Sequence, residues 1–371
     1  MRALILGASG AIGRTVAAEL ARSTEVERLW LGGRNEARLA WLLDVLAGDP
    51  SRISTLAFDL HDHALRDRHF RELAPNLVIS CVGLAGQLEL PCARAAVEVG
   101  ASWLSSSNDY GAAEAVTSLD TEASAAGVTV VSGCGLSPGL TNLLVALAAL
   151  ELDEVEEIEI ATARSAHDPA GQAALAQLLI GLSGPAPSIA DGRRTCEDGP
   201  KASHLVYFPE PVGWVETFAG ANPEITTLIT RWPGLRLLRW RVGFAEKPAM
   251  DTLRLLAAGP WASRLADWGP VGSGVLQGAL GAWRNAGSAW SAARVDVRGQ
   301  ADNRPRSVSL GVVDHLVNLT ALPLVAAALE LAADHTEPGV RSPEQAFDPK
   351  TLLARVGRRG VRVARLEPYQ V

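Results

Sequence analysis

Along the first half of the chain, short apolar runs alternate with stretches whose apolar residues recur every three or four positions. Arg2–Leu6, Val26–Leu31, Ile53–Phe58, Leu77–Val82, Ser102–Leu104 and Val128–Val131 read as strands. Helical stretches follow Gly13, and Pro91–Val99 and Ala112–Ala126 read as further helices. Strands alternating with helices predict a doubly wound parallel sheet, with a ligand site at the carboxyl ends of its strands. Beyond Leu152 the pattern changes. Glu151–Glu159 holds six acids among nine residues, which predicts an alternating strand with one wet face. Ala170–Leu182 reads as a helix. Leu205–Phe208, Trp214–Phe218, Leu237–Val242, Ala292–Gly299 and Arg306–Gly311 read as strands, with Gln300–Pro305 as a polar hairpin connection. The expected class is α/β: an N-terminal Rossmann domain, then an α+β domain with a mixed sheet.

The first strand ends in Gly7-Ala8-Ser9-Gly10-Ala11-Ile12-Gly13. A strand, glycine turn and helix in this order suit a pyrophosphate. Backbone approaches the anion where a Cβ would block it, and the helix start presents unpaired N–H groups. Gly7, Ser9, Gly10, Ala11, Ile12 and Gly13 are therefore candidate cofactor residues. The second strand ends in Gly32-Gly33-Arg34-Asn35, and Arg34 stands 21 residues past Gly13. An NAD-binding domain places an acidic residue near this point to hold the adenosine ribose. A guanidinium there suits a 2′-phosphate instead, which predicts NADP(H). The plainer alternative is a solvated Arg in a turn. Asp59, after the third strand, and Val82 and Gly83, after the fourth, complete the expected cofactor contacts.

Composition narrows the class. The chain has 371 residues, enough for two domains, and 48% of them are hydrophobic, so a sizeable core is expected and disorder is not. A net charge of −7 gives no bulk attraction for nucleic acid. The four cysteines form no CxxC pair and indicate neither a disulfide framework nor a metal site. MRALILGAS is too short an apolar start for a signal peptide, and no run is long enough to span a membrane. A cytoplasmic protein is expected.

Candidates for chemistry lie at the expected strand ends. Asp109 could relay a proton or bind an ammonium, or it could cap the helix that follows. Asn108 beside it is a candidate substrate contact. Cys134, between two glycines, could line the nicotinamide face or be a small buried residue. Glu224, in Asn222-Pro223-Glu224, could meet a cationic substrate or merely favour a helix N-terminus. His61 and His63 read as a solvated turn, and His315 as structural. Seven of the ten tryptophans fall between Trp214 and Trp290. Trp261 with Trp268, and Trp283 with Trp290, are spaced to share helix faces, as core, interface or pocket wall.

GASGAIGR, GGRN, the strand Leu77–Val82 with Gly83, EVGASWLSSSND, AAGVTVVSGCGLSPGLTNLL and PGVRSPEQAFDP together resemble the saccharopine dehydrogenase family. The likeness covers residues 1–145 and, more loosely, 316–367. It implies an NADP(H)-binding domain over 1–145 and a substrate and dimerisation domain over 146–315. It also implies that helices and a strand over 316–371 return to the first domain, and that the chain forms a homodimer. The implied chemistry is reduction of an imine or oxidation of an amine on a small-molecule substrate. A second branch reduces a conjugated C=C bond on an apolar substrate. A cofactor-binding scaffold or sensor without catalysis is the third reading. Members that act on saccharopine have Asp before the Pro-Gly of the glycine-rich turn, where this chain has Ser137.

Overall fold

The computed structural model describes residues 1–46, 49, 51–83, 86–168, 172–199, 201–259, 274–275, 278–279, 281–283, 289–333 and 336–367. The chain divides into two compact units. One comprises Met1–Gly135 with Thr320–Arg355, the other Leu136–Leu319 with Val356–Val371.

The first unit carries a parallel sheet. Its strands are β1 (Arg2–Leu6), β2 (Arg28–Gly33), β3 (Ile53–Ala57), β4 (Leu77–Ser80), β5 (Ser102–Ser105) and β6 (Thr129–Val131), with a short strand Gly339–Val340 at one edge. From that edge the order runs Gly339–Val340, β6, β5, β4, β1, β2, β3, all neighbours parallel. The order reverses beside β1, the feature that opens a ligand crevice at the strand ends of a doubly wound sheet. β1 and β4 are apolar along nearly their whole length because helices cover both faces of such a sheet. Helices α1 (Ala11–Ala21), α2 (Glu36–Leu46), α3 (His63–Leu73) and α4 (Gly86–Glu98) make the crossovers.

The helix expected over Ala112–Ala126 is broken. It forms α5 (Tyr110–Val116), one 3-10 turn at Thr117–Leu119 and α6 (Asp120–Ala126). Thr117 and Ser118 donate their hydroxyls to the carbonyls of Glu114 and Ala115, at 2.6 and 2.8 Å. Such local bonds compete with the regular helix ladder.

The second unit holds α7 (Leu140–Ala149) and a mixed sheet built from β7 (Glu154–Arg164), β8 (Pro185–Ala190), β9 (Arg193–Asp198), β10 (Ser203–Phe208), β11 (Gly213–Ala219), β12 (Leu237–Phe244), β13 (Ser291–Ala301) and β14 (Arg304–Asp314). The main order is β10, β11, β12, β7, β13, β14, with only the β12–β7 pair parallel. The closing strand Ala364–Leu366, expected on the first domain, adds to this sheet beside β14, where Arg365 pairs with Glu151 at 2.8 Å. The hairpin β8–β9 is not in the sequence reading, although its turn residues Asp191 and Gly192, both at positive φ, are a strong short-range signal. Pro185 and Pro187 obscured the strand pattern. The remaining helices of this unit are α8 (Gln172–Ser183), α9 (Glu224–Arg231) and α10 (Lys247–Ala258).

Trp261 and Trp268 lie outside the described residues, as does most of the segment 269–282. Trp283 sits in a turn and Trp290 directly precedes β13, so the spacing of seven between them does not reflect one helix face.

One buried ion pair on β13 ties that strand to β10 and to the chain end near Glu367. Arg294, 1% exposed, donates to both oxygens of Asp296 at 2.7 Å and to the carbonyls of Tyr207 and Glu367. Removing the acid leaves a buried cation uncompensated. Asp296→Ala should therefore cost about 3–5 kcal/mol of stability in urea unfolding. A cost under about 1 kcal/mol would show that the pair is dispensable.

Candidate active site

Gly7 ends β1 with φ +74°, a conformation glycine adopts without penalty. The chain then turns into α1 at Gly10, with no side chain capping the helix start. A Cβ on Gly13 would lie 2.2 Å from the Gly7 carbonyl oxygen, so only glycine lets α1 pack this close to the strand end. The unpaired amides of the first turn, on Ala11, Ile12 and Gly13, remain as an anion cradle. Ser9 lies beside the end of β2, its Oγ 3.7 Å from where a Gly33 Cβ would stand.

Arg34 is exposed at the tip of β2, and among the described residues no carboxylate forms an ion pair with it. Asn35 has a local task, since its Oδ1 accepts the Arg38 amide at 2.9 Å and starts α2. Asp59 is exposed and accepts both the amide and ring Nδ1 of His61, at 3.0 and 2.9 Å. These bonds, together with the charges of His61 and Arg34, hold its carboxyl below the usual range. Val82 follows β4 with its Cγ2 against the Gly7 turn, and Gly83 is exposed. The residues present thus fit a dinucleotide with a 2′-phosphate: amides for the pyrophosphate, an exposed guanidinium for the phosphate.

The β5 end carries Asn108, partly buried, and Asp109, whose Oδ1 accepts the Ala112 amide at 2.7 Å and caps α5. The capping alternative therefore describes what Asp109 does here. Cys134 is fully buried, and burial pushes its thiol up to about 12, so it offers no thiolate for catalysis.

Sequence reasoning missed a neighbouring acid, Glu89. It is fully buried on α4. Its Oε1 accepts Trp103 Nε1 at 3.1 Å and Ser132 Oγ at 3.0 Å. Burial raises the carboxyl above its ordinary range against the hydrogen bonds of Ser105, Trp103 and Ser132, with the charge of Asp109 adding to the rise. Full burial of a carboxyl favours its protonated form. The signal was a lone acid inside the apolar run Leu88-Glu89-Leu90.

In the second unit Glu224 corrects an expectation. It is fully buried, and its oxygens accept Ser137 Oγ at 3.1 Å and Thr141 Oγ1. Trp240 Nε1 donates to Ser137 Oγ at 2.8 Å, and Asn222 Nδ2 to the Ser137 carbonyl at 3.4 Å. Glu224 anchors the Ser137-Pro138-Gly139 turn and is not presented to a substrate. Elsewhere in this unit a cavity of about 520 Å³ is lined by Leu205, Trp214, Val215, Phe244 and Met250, with His204, Glu216 and Lys247 as polar groups. Burial and the Arg241 charge hold His204 below its ordinary range. Among the described residues no cluster of side chains suits a metal, and no helix is long and apolar enough to cross a membrane.

Residues 3–131 match the family model of the saccharopine dehydrogenase NADP-binding domain. The resemblance read from the sequence holds, and with it the NADP(H) cofactor. Apo saccharopine dehydrogenase (L-Glu forming) from Saccharomyces cerevisiae is similar in fold, with TM-score 0.69 and 14% identity over 99% of this chain and 100% of that one. Amine dehydrogenase from Mycobacterium smegmatis follows at TM-score 0.50 and 12% identity, over 94% and 96%.

The Glu89 environment has a pH signature. An acid raised by folding contributes stability that is fully present below its unfolded value, and loses it as pH rises through the folded one. Each unit of upward displacement corresponds to about 1.4 kcal/mol. Urea unfolding at pH 5 and pH 8 should show Glu89→Gln gaining on the wild type at the higher pH. An identical difference at both pH values would contradict a buried neutral carboxyl.

Proposed function

We propose that this protein is an NADP(H)-dependent oxidoreductase that reduces the C=N bond of an imine or oxidises the corresponding amine. The observation that carries the cofactor half is the uncapped helix start at Gly10 together with an exposed Arg34 at the tip of β2. The C–N half rests on the family match over residues 3–131, supported by the amine dehydrogenase fold likeness. A cytoplasmic homodimer is part of the same proposal.

Each residue then has a task. The amides of Ala11, Ile12 and Gly13 hold the pyrophosphate, and Arg34 holds the 2′-phosphate through charge-assisted bonds. Ser9, Val82 and Gly83 shape the crevice at the strand ends, and Asn108 stands where substrate contacts are expected. When bound, the cofactor supplies a hydride, and the protein orients the acceptor carbon and manages the proton.

A second reading, reduction of a conjugated C=C bond on an apolar substrate, is favoured by the 520 Å³ cavity with Trp214, Leu205 and Phe244 in its wall. NADPH oxidation separates the two. Turnover with an amine plus a keto acid supports the first, and turnover with an enoyl compound supports the second. Binding of NADPH without turnover of either would favour a sensor or scaffold.

Arg34→Ala should weaken NADPH binding about 10- to 100-fold, the equivalent of about 1.5–3 kcal/mol for a lost charge-assisted hydrogen bond. NADH binding should be unchanged, as read by calorimetric titration. An unaltered preference would remove Arg34 from the cofactor site.

A further inference from the structure

β7 ends in Thr162-Ala163-Arg164, and side chains two apart on a strand share a face. Thr162 and Arg164 therefore stand on one face of the second sheet. Their register partners on β12 are Val242 and Phe244, and Ala293 of β13 lies opposite Thr162. All three are buried. The backbone is pinned from both sides here. The Ala245 amide donates to the Arg164 carbonyl at 2.8 Å, and the Ser165 amide to Ser291 Oγ at 3.1 Å. Glu246 fixes the following turn by accepting Ser165 Oγ at 3.0 Å and the Ala166 amide at 2.8 Å.

In this apolar setting two polar groups stand without partners. Arg164 Nε and Thr162 Oγ1 are sealed from solvent and make no hydrogen bond among the described residues. Nor does any described carboxylate form an ion pair with the Arg164 guanidinium. Asp168, the acid whose charge it feels, is engaged elsewhere: its Oδ2 accepts Ser291 Oγ at 2.5 Å and the Leu316 amide at 3.0 Å. Burial pushes the guanidinium down to about 10, against the pull of the Asp168 charge. A buried cation and a buried hydroxyl without partners each cost free energy that an incoming acceptor would recover. The side chain as a whole is only partly buried, so the outer end of its fork is open to a small ligand.

We propose that the end of β7 is a binding site for a small monocarboxylate with an apolar body, held by the Arg164 guanidinium with the Thr162 hydroxyl as a second donor. A guanidinium fork matches a carboxylate with two parallel bonds. One cation balances one negative charge, whereas a phosphate dianion would leave an excess beside Asp168. Val242, Phe244 and Ala293 suit an apolar body. The inference concerns the second unit alone and does not rest on the oxidoreductase reading.

The test uses the full chain and straight-chain monocarboxylates from acetate to octanoate, beside the matching amides and inorganic phosphate. Melting temperature should rise with the acids and stay at the buffer value with the amides and phosphate. Arg164→Met keeps the length of the side chain and drops its charge. Without ligand it should melt at or above the wild type, because a costly buried cation is gone. In calorimetric titration it should bind the best acid about 100-fold more weakly, and Thr162→Val about 2- to 10-fold more weakly. No shift with any acid, equal shifts with amides or phosphate, or wild-type affinity in either variant would overturn the inference. So would an Arg164→Met chain that melts below the wild type, since the guanidinium would then be structural.

Discussion

Everything at the cofactor end depends on how close α1 comes to β1. Gly13 sits so near the Gly7 carbonyl that no side chain could be accommodated. That contact fixes the helix axis and aims its unpaired amides at the crevice beside β1, where the strand order reverses. Had α1 begun with Ser or Asp, one amide would have been satisfied internally and the cradle weakened. Arg34 gains its meaning from this geometry. An exposed arginine is ordinary, but one at the tip of the strand next to the cradle stands where a Rossmann domain carries the residue facing the adenosine ribose.

The second recurring device is the buried carboxyl used to tie loops. Glu89 gathers Trp103 and Ser132, Glu224 gathers Ser137 and Thr141, and Glu246 gathers Ser165 and Ala166. In each case donors 14 to 87 residues from the acid converge on it, which sets a turn that packing alone would leave loose. Asp168 belongs to the same class but keeps one oxygen turned toward His315. These acids set where backbone and side chains stand.

The parallel sheet was legible because β1 and β4 must be apolar on both faces, and the glycine turn because its spacing answers to one backbone geometry. The second sheet was legible strand by strand where alternation is clean, as in β13 and β14. It failed at β8–β9, where two prolines mask a hairpin whose Asp191-Gly192 turn was in plain view. The site was less legible. Asp109 and Glu224 were marked for being acids near strand or helix ends; Asp109 caps α5 and Glu224 holds a turn. Glu89 was passed over because its role comes from Trp103 and Ser132, 14 and 43 residues away. A pairing of that reach leaves no periodic trace in one sequence.

The claim on which the account stands is that the first unit holds a phosphorylated nicotinamide dinucleotide. The direct measurement is thermal stability with NADPH, NADP⁺, NADH and NAD⁺ in turn. A ligand at a hundred times its dissociation constant adds about 2.7 kcal/mol to the native state. The account predicts a clear upward shift with NADPH and NADP⁺ and little or none with NADH and NAD⁺. Equal shifts with all four would contradict the role of Arg34, and no shift with any would contradict the cofactor site itself.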